Sequence, residues 1–101
     1  MAETRTVCRV ADVPEDGVKV IEIDDRPIAL RYIDGTLHAI ENICPHRGGP
    51  VGEGEIQGST LVCPWHGWAF DVTTGQNTMN PAATIRQFPV RIDGDDIILE
   101  I

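Results

Sequence analysis

The stretch CPHRGGPVGEGEIQGSTLVCPWHGWAFD, from Cys44 to Asp71, contains two short motifs that each join a cysteine to a histidine. Cys44-Pro45-His46 has the form C-x-H, and Cys63-Pro64-Trp65-His66 has the form C-x-x-H. The whole chain has only 3 cysteines and 3 histidines, so two similar Cys–His pairs this close together are unlikely to be accidental. Thiolate and imidazole are both metal ligands. The pairing therefore indicates a metal site.

Glycine and proline surround both motifs. Gly48-Gly49 follows the first pair and Gly67 follows the second, while Pro45 and Pro64 each follow a cysteine. Glycine lets the backbone turn tightly and bring its N–H groups close to a buried centre, where they can hydrogen-bond to sulfur. Proline fixes φ and stiffens a loop. We expect two stiff loops that converge on one centre.

The ligand spacing bears on which metal the centre holds. A closed zinc site uses the same ligand types, but its paired ligands are usually separated by at least two residues, whereas Cys44 and His46 are separated by one. Two adjacent irons bridged by sulfide suit the arrangement better, with a residue from each loop on each iron. A structural zinc module remains the alternative, and elemental analysis would decide. A catalytic Cys–His dyad would leave the second pair unexplained.

Short runs rich in valine and isoleucine flank the motifs on both sides. These runs are Thr6–Val10, Val18–Ile23, Ile28–Ile33, Leu37–Ile40, Ile85–Ile92 and Ile97–Ile101. Asp34-Gly35 and Asp93-Gly94 are hairpin signals, and Pro89 inside one run suggests an edge strand or a bulge. Because no segment has sustained helical periodicity, the sequence predicts an all-β fold.

The region between the hairpins differs from its flanks. Residues 42–83 are dense in glycine and proline and contain both Cys–His pairs and both tryptophans. Irregular segments on a β scaffold commonly carry function. The sequence thus predicts a single domain, 1–101, in which a loop-rich lobe at about 42–83 is inserted between hairpins.

Charge and composition exclude several classes of function. The 101 residues carry a formal net charge of -8, from 16 acidic residues against 8 lysines and arginines. This balance opposes binding to nucleic acid or anionic lipid and favours a partner with a basic docking patch. We find no apolar run long enough to span a membrane and no secretory signal. Few cysteines, in an odd number, point to the cytoplasm, where thiols stay reduced and available to metal.

The two motifs with their flanks resemble the signature of the Rieske [2Fe–2S] family. The resemblance rests on Cys44–Gly49 and Cys63–Asp71, with Thr74-Gly75 similar to the family's turn and Asn80–Ala82 similar to its covering proline loop. It implies an antiparallel β-sandwich with a cluster-binding lobe and one [2Fe–2S] cluster. It further implies which residues ligate each iron. The inner iron would be held by Cys44 and Cys63, and the outer iron by His46 and His66.

Departures from the family pattern refine this expectation. Respiratory-chain members carry two more cysteines, which form a disulfide; the corresponding positions here are Gly49 and Trp65. Those proteins also place serine and tyrosine hydroxyls against the cluster, where this chain has Trp68 and Phe70. Neither of these can donate an O–H hydrogen bond, which predicts a low reduction potential. This places the chain with the ferredoxin-type members that serve oxygenases.

The resemblance therefore implies a soluble one-electron carrier rather than an enzyme. It would pass electrons from a flavin-dependent reductase to a terminal oxygenase of aromatic hydrocarbon catabolism, through transient docking. The alternative is a subunit of a larger redox complex, resembling the small subunit of cytosolic nitrite reductase. Two residues are expected to lie outside the site: Cys8 as a small buried hydrophobe, and His38 on a solvent-facing strand position.

Overall fold

Antiparallel strands provide almost all of the regular structure in the computed structural model of this chain. The structure describes residues 4–15, 17–43, 49–65, 67–79 and 83–100. The strands are β1 (Thr4–Arg9), β2 (Lys19–Ile23), β3 (Arg26–Ile33), β4 (Thr36–Glu41), β5 (Glu55–Gln57), β6 (Thr60–Val62), β7 (Ala69–Asp71), β8 (Gln87–Phe88), β9 (Val90–Asp93) and β10 (Asp96–Glu100). Short 3₁₀ turns lie at Val10–Asp12 and Val51–Glu53. The predicted all-β fold is confirmed.

The strands form three sheets, each entirely antiparallel. The terminal sheet has the order β1-β10-β9, and the central sheet has the order β2-β3-β4-β8. The lobe sheet, β5-β6-β7, comes from the segment between β4 and β8. A lobe is therefore inserted into the central sheet, as the sequence predicts.

Tight turns with left-handed residues join the hairpins of the central sheet. Asp24 and Asp25 have φ of 50° and 66° between β2 and β3, and Asp34 and Gly35 have φ of 50° and 81° between β3 and β4. Aspartate adopts this region more readily than most residues, because its short polar side chain can hydrogen-bond locally. The Asp-Gly hairpin expected at 34–35 is confirmed.

Alternating residues of β3 divide the hydrophobic core into two layers. Ile28 and Leu30, which are completely buried, pack in one cluster with Ile97 of the terminal sheet. Ala29 points to the opposite face and packs in a second cluster with Leu61 of the lobe sheet. Because successive side chains of a strand face opposite ways, the central sheet is covered on both faces. This arrangement seats the lobe on an apolar surface.

Pro89 marks the corner where the chain leaves one sheet and enters another. The run Ile85–Ile92 does not form one strand: β8 pairs with β4, whereas β9 pairs with β10. Proline has no N–H to donate to a ladder, so it separates the two strands. Its carbonyl oxygen accepts a hydrogen bond from the N–H of Glu100 at an N–O distance of 3.0 Å, which is typical of backbone pairing. β8 and β9 each lie at the edge of their sheet, so the expected edge position is confirmed, and Pro89 itself is the junction between the two sheets.

The lobe contains more regular structure than the sequence suggests. β5, β6 and β7 have three residues each, and glycines at 54, 58 and 67 lie next to them. Because the strands are so short and next to glycine, they are difficult to recognise from the sequence. Side chains of the central sheet tie the lobe down; for example, Gln87 Nε2 donates to the carbonyl oxygen of Val72 at 3.1 Å. Among the described residues, we find no helix with the length and apolar character needed to cross a membrane.

Candidate metal centre

Cys63 begins the loop that connects β6 to β7. Its side chain is 1% exposed, and its backbone N–H donates to the carbonyl oxygen of Trp68 with an N–O distance of 2.7 Å. This bond closes the turn. Gly67, with φ of 73°, supplies the left-handed residue that such a turn needs. Cys63 and Trp68 are thus paired across a tight turn that carries a buried thiol.

Gly49, which follows the first predicted ligand motif in the sequence, lies against this thiol. A β-carbon built on Gly49 would lie 2.6 Å from Cys63 Sγ and 2.9 Å from Cγ of Trp65. Both distances are shorter than side chains tolerate, so only glycine allows this approach. Gly49 and Trp65 also occupy the two positions at which respiratory-chain members of the resembled family carry the disulfide-forming cysteines. The two loops therefore meet at Cys63.

The remaining predicted ligands, Cys44, His46 and His66, lie outside the described residues, as does the proposed covering loop at 80–82. What the described residues show is a buried sulfur donor at the meeting point of the two loops. Thiolate sulfur is a ligand that iron–sulfur clusters require, so this feature fits the expected group. The four-residue ligand set itself stays a prediction.

Aromatic rings form one wall beside the Cys63 loop. Phe70 is completely buried, and Trp68 packs against the same core cluster. Their ring centroids are 6.4 Å apart with an interplanar angle of 40°, a tilted arrangement favourable for aromatic pairs. These are the two positions where related proteins place hydroxyl groups, and in this chain they provide apolar surface.

Asn42 holds the ends of the first segment together, a role that the sequence reasoning missed. Its side chain is 5% exposed, and Oδ1 accepts a hydrogen bond from the N–H of Gly52. Its backbone N–H donates to the carbonyl oxygen of Pro27 at 2.8 Å. Asparagine directly after a strand and before a glycine-rich segment is a typical turn-stabilising residue. The position of Asn42 between a strand and a glycine-rich segment is therefore the feature of the sequence that indicates a turn-stabilising role.

Large apolar side chains are exposed around these loops. Trp65 is 50% exposed, Met79 is 89% exposed and Ile43 is 36% exposed. Trp65 lies between the second predicted cysteine and histidine ligands, and Ile43 directly precedes the first predicted cysteine ligand. Aromatic residues and methionine are enriched in the contact surfaces of proteins. This surface is therefore suited to contact with another protein.

Cys8 and His38 lie away from these loops. Cys8 belongs to β1 and is partly buried against the core of the terminal sheet. Burial raises the pKa of its thiol, and the nearby Asp12 carboxylate raises this pKa further. His38 lies on β4 opposite Arg31 in the register of the central sheet and is partly exposed. Neither contributes to the candidate centre.

Comparison with known families gives one match over most of the chain. Residues 3–89 match the Rieske [2Fe-2S] domain. This span includes every strand from β1 to β8 and both Cys–His motifs.

Individual relatives and solved structures agree with this match. The chain is 31% identical over 91 residues to the ferredoxin component of naphthalene 1,2-dioxygenase/salicylate 5-hydroxylase systems from Ralstonia sp, covering 89% of this chain and 88% of the relative. It is 29% identical, with the same coverage, to the ferredoxin component of a naphthalene 1,2-dioxygenase system from Pseudomonas aeruginosa. The solved structure of Sphingomonas yanoikuyae B1 ferredoxin superposes with a TM-score of 0.87 at 25% identity, covering 98% of this chain and 99% of that one.

Proposed function

Because the chain belongs to the Rieske [2Fe-2S] domain family, we propose that it carries single electrons to a terminal oxygenase on a cluster held by Cys44, His46, Cys63 and His66. Family membership gives the chain one [2Fe–2S] cluster, which can take up and release one electron when bound. The two curated relatives named above are ferredoxin components, so the chain is an electron-transfer component and not the catalytic enzyme.

The contact between Gly49 and Cys63 is the observation that best supports the proposed ligand set. Gly49, three residues after His46 in the sequence, lies against Cys63 and Trp65, which supports two ligand loops that converge. Two thiolates and two imidazoles from converging loops are the donor set of a Rieske centre. Cys63, being 1% exposed, is suited to the inner iron. The stretch 42–83, from Asn42 to the last residues before β8, acts as the cluster-binding subdomain of a single domain, 1–101.

The protein's own surface supplies the docking chemistry. Trp65 is half-exposed beside His66, and this apolar contact is available without any rearrangement of the buried core. The chain's net charge of -8 favours partners with basic patches. Electron-transfer encounters bury little area, on the order of less than 1,200 Å² in total, so docking is transient.

The partners follow from the relatives and from the one-electron chemistry. The relatives belong to naphthalene 1,2-dioxygenase systems, which supports an oxygenase as the electron acceptor. A flavin-dependent reductase is the proposed donor, since a flavin can release electrons one at a time. The proposed compartment is the cytoplasm, which keeps thiols reduced and available to iron.

Two measurements test this proposal. Anaerobically purified protein should contain two irons and two acid-labile sulfides per chain and no stoichiometric zinc. Stopped-flow mixing with a reduced flavin-dependent reductase should bleach the visible absorption of the cluster, and an oxygenase should restore it. If the purified protein contained zinc in place of iron, the proposal that these residues hold an iron–sulfur cluster would be rejected. An iron-loaded protein that exchanges electrons with no reductase or oxygenase would reject the carrier function.

A further inference from the structure

The strand directions place two different surfaces at opposite ends of the molecule. β4 begins after the Asp34-Gly35 turn and ends before the first ligand loop, and β6 begins after the Gly58-Ser59 turn and ends directly before Cys63. Both turns line one groove of about 1140 Å³. Because the ligand loops follow the other ends of the same strands, this groove lies at the end of the molecule away from the predicted cluster.

The groove exists because two neighbouring strands differ in length. The pairing of β2 with β3 stops at Lys19 opposite Leu30. The pairing of β3 with β4 continues to Ile33 opposite Thr36. The last three residues of β3 therefore have a strand on one side only, and the groove lies along this open stretch.

Arg31 fixes the walls of the groove. Its side chain is 8% exposed, and Nη1 donates to the carbonyl oxygen of Gly17 at 3.1 Å while Nη2 donates to that of Gly58 at 2.9 Å. These bonds hold the β1–β2 connection and the β5–β6 turn at a set separation. A preformed site loses less entropy when a partner binds than one that must first be ordered.

The lining combines apolar side chains with carboxylates. We use the name acidic groove for the surface formed by Val10, Val13, Glu15, Ile33, Asp34 and Ile92. Ile92 is 47% exposed, which is high for a large apolar residue, and Glu15 and Asp34 are exposed at the rim. The guanidinium of Arg31 is the cation in this lining, and it lies buried beneath the surface on its two carbonyl partners.

Neighbouring charges reinforce the negative sign of this end. The β9–β10 turn brings Asp93, Asp95 and Asp96 to the same end, because the N–H of Val10 donates to the carbonyl oxygen of Asp95 at 2.8 Å. All three aspartates are exposed. Besides the buried Arg31, the described cations near this end are Arg9 and Lys19, and the carboxylates outnumber these three. A ligand that matches the acidic groove must offer positive charge together with apolar side chains.

We propose that the acidic groove is a second docking surface, which binds an extended segment of a partner protein in which lysine or arginine alternates with apolar residues. Basic groups of the segment pair with Glu15 and Asp34, while its apolar side chains cover Ile33 and Ile92. The use of this surface rests on the proposed carrier function. A partner held at this end leaves the cluster end exposed for electron exchange and keeps the carrier at a high effective concentration.

Titration of the isotope-labelled, cluster-containing protein with a synthetic peptide tests the proposal by nuclear magnetic resonance. The probe is a six-residue peptide of alternating lysine and valine with blocked ends. The control peptide has glutamate in place of each lysine. Saturable shifts should appear at the amides of Ile33, Gly35, Ser59 and Ile92 with the basic peptide only. Glu15→Gln with Asp34→Asn should weaken binding about five- to tenfold, as expected for the loss of two exposed charge contacts.

A matched variant separates groove binding from general attraction to an acidic protein. Glu22→Gln with Asp25→Asn removes the same charge from exposed positions in and next to the β2–β3 turn and should leave binding unchanged. Equal weakening in both double variants, shifts spread over both ends of the molecule, or no saturable binding would overturn the proposal. Iron content and bleaching by a reductase, measured on the same samples, report separately on the carrier function.

Discussion

Gly49 and Cys63 approach so closely that no β-carbon fits between them. A β-carbon on Gly49 would lie 2.6 Å from Cys63 Sγ, which is well inside the contact distance of carbon and sulfur. The buried thiol is thus in direct contact with the backbone of the other loop. This relationship joins two segments that are separated in the sequence by the first two strands of the lobe sheet.

Replacement of Gly49 with alanine should therefore disturb the cluster. The added methyl group must displace either the Cys63 thiol or the Trp65 ring. We expect lower iron content after purification and a shifted visible and electron paramagnetic resonance spectrum. The measurement is the iron-to-protein ratio together with both spectra.

Gly35→Ala is the control for that variant. Gly35 has φ of 81° and open space around the position of a β-carbon, so alanine adds backbone strain far from the ligand loops. It should destabilise the fold by about 1–2 kcal/mol and leave the spectra unchanged. Identical spectra for Gly49→Ala and the unmodified protein would contradict the contact.

The two described cysteines should respond oppositely to substitution. Cys63→Ser removes a soft thiolate donor from the buried loop and should abolish or badly impair cluster binding. Cys8→Val, in the core of the terminal sheet, should keep the full iron content. Iron and acid-labile sulfide analysis measures both outcomes. Retention of an unaltered cluster in Cys63→Ser would exclude Cys63 as a ligand.

The apolar wall beside Cys63 predicts a low reduction potential. Neither Trp68 nor Phe70 can donate an O–H hydrogen bond to a nearby sulfur, so the reduced, more negative state lacks that stabilisation. A redox titration should give a value near the lower end of the Rieske range, about −150 mV. A value well above zero would contradict the roles given to these two residues.

Phe70→Tyr tests the same argument from the other direction. The new hydroxyl group lies in the fully buried wall, where it should raise the potential. Phe88→Tyr places a hydroxyl group in the other core cluster and should not change the potential. Equal potentials in the two variants would mean that the wall does not tune the centre.

Loss of the Asn42 side chain should loosen the first ligand segment. In Asn42→Ala the N–H of Gly52 loses its acceptor, at a cost of about 1–3 kcal/mol for a buried group. Thermal unfolding followed by circular dichroism should show a lower midpoint and earlier release of iron. Gln57→Ala, on an exposed strand position, should stay within about 0.5 kcal/mol of the unmodified protein.

The raised pKa of Cys8 makes stability depend on pH in the alkaline range. In the folded protein, burial first and the Asp12 carboxylate second keep this thiol protonated to a higher pH than in the unfolded chain. The unfolded chain therefore loses the proton first, and stability falls as pH rises from the ordinary thiol pKa through the raised one. Denaturant midpoints should fall less over this range in Cys8→Val. An equal fall in both proteins would contradict the assignment.

Much of the fold is predictable from the sequence because its outer hairpins obey local rules. Isoleucine, leucine and alanine in short runs on either side of the Asp34-Gly35 turn specify β3 and β4 without knowledge of the rest of the chain. The lobe strands are less evident, since three residues are too few to show a period of two. They form because they pack on Ala29 and Ile40, which are distant in sequence.

In the candidate site, too, some residues can be recognised from the local sequence, whereas the roles of others depend on the fold. Cys63 is recognisable from its motif, because the residue types themselves carry the chemistry. The position of Asn42 before a glycine-rich segment indicates a turn-stabilising residue, but its hydrogen-bond partner, Gly52, depends on the fold and not on a local pattern. The acidic groove likewise depends on a difference in length between the neighbouring strands β2 and β3.

The corner at Pro89 has a consequence for how the molecule unfolds. One short stretch of backbone lies in the ladder of the central sheet on one side of this residue and in that of the terminal sheet on the other. Separation of β9 from its sheet should therefore also destabilise the pairing of β8 with β4, the strand that precedes the first ligand loop. Chemical denaturation should accordingly release iron and melt both ladders in a single transition, with coincident curves from absorbance and circular dichroism.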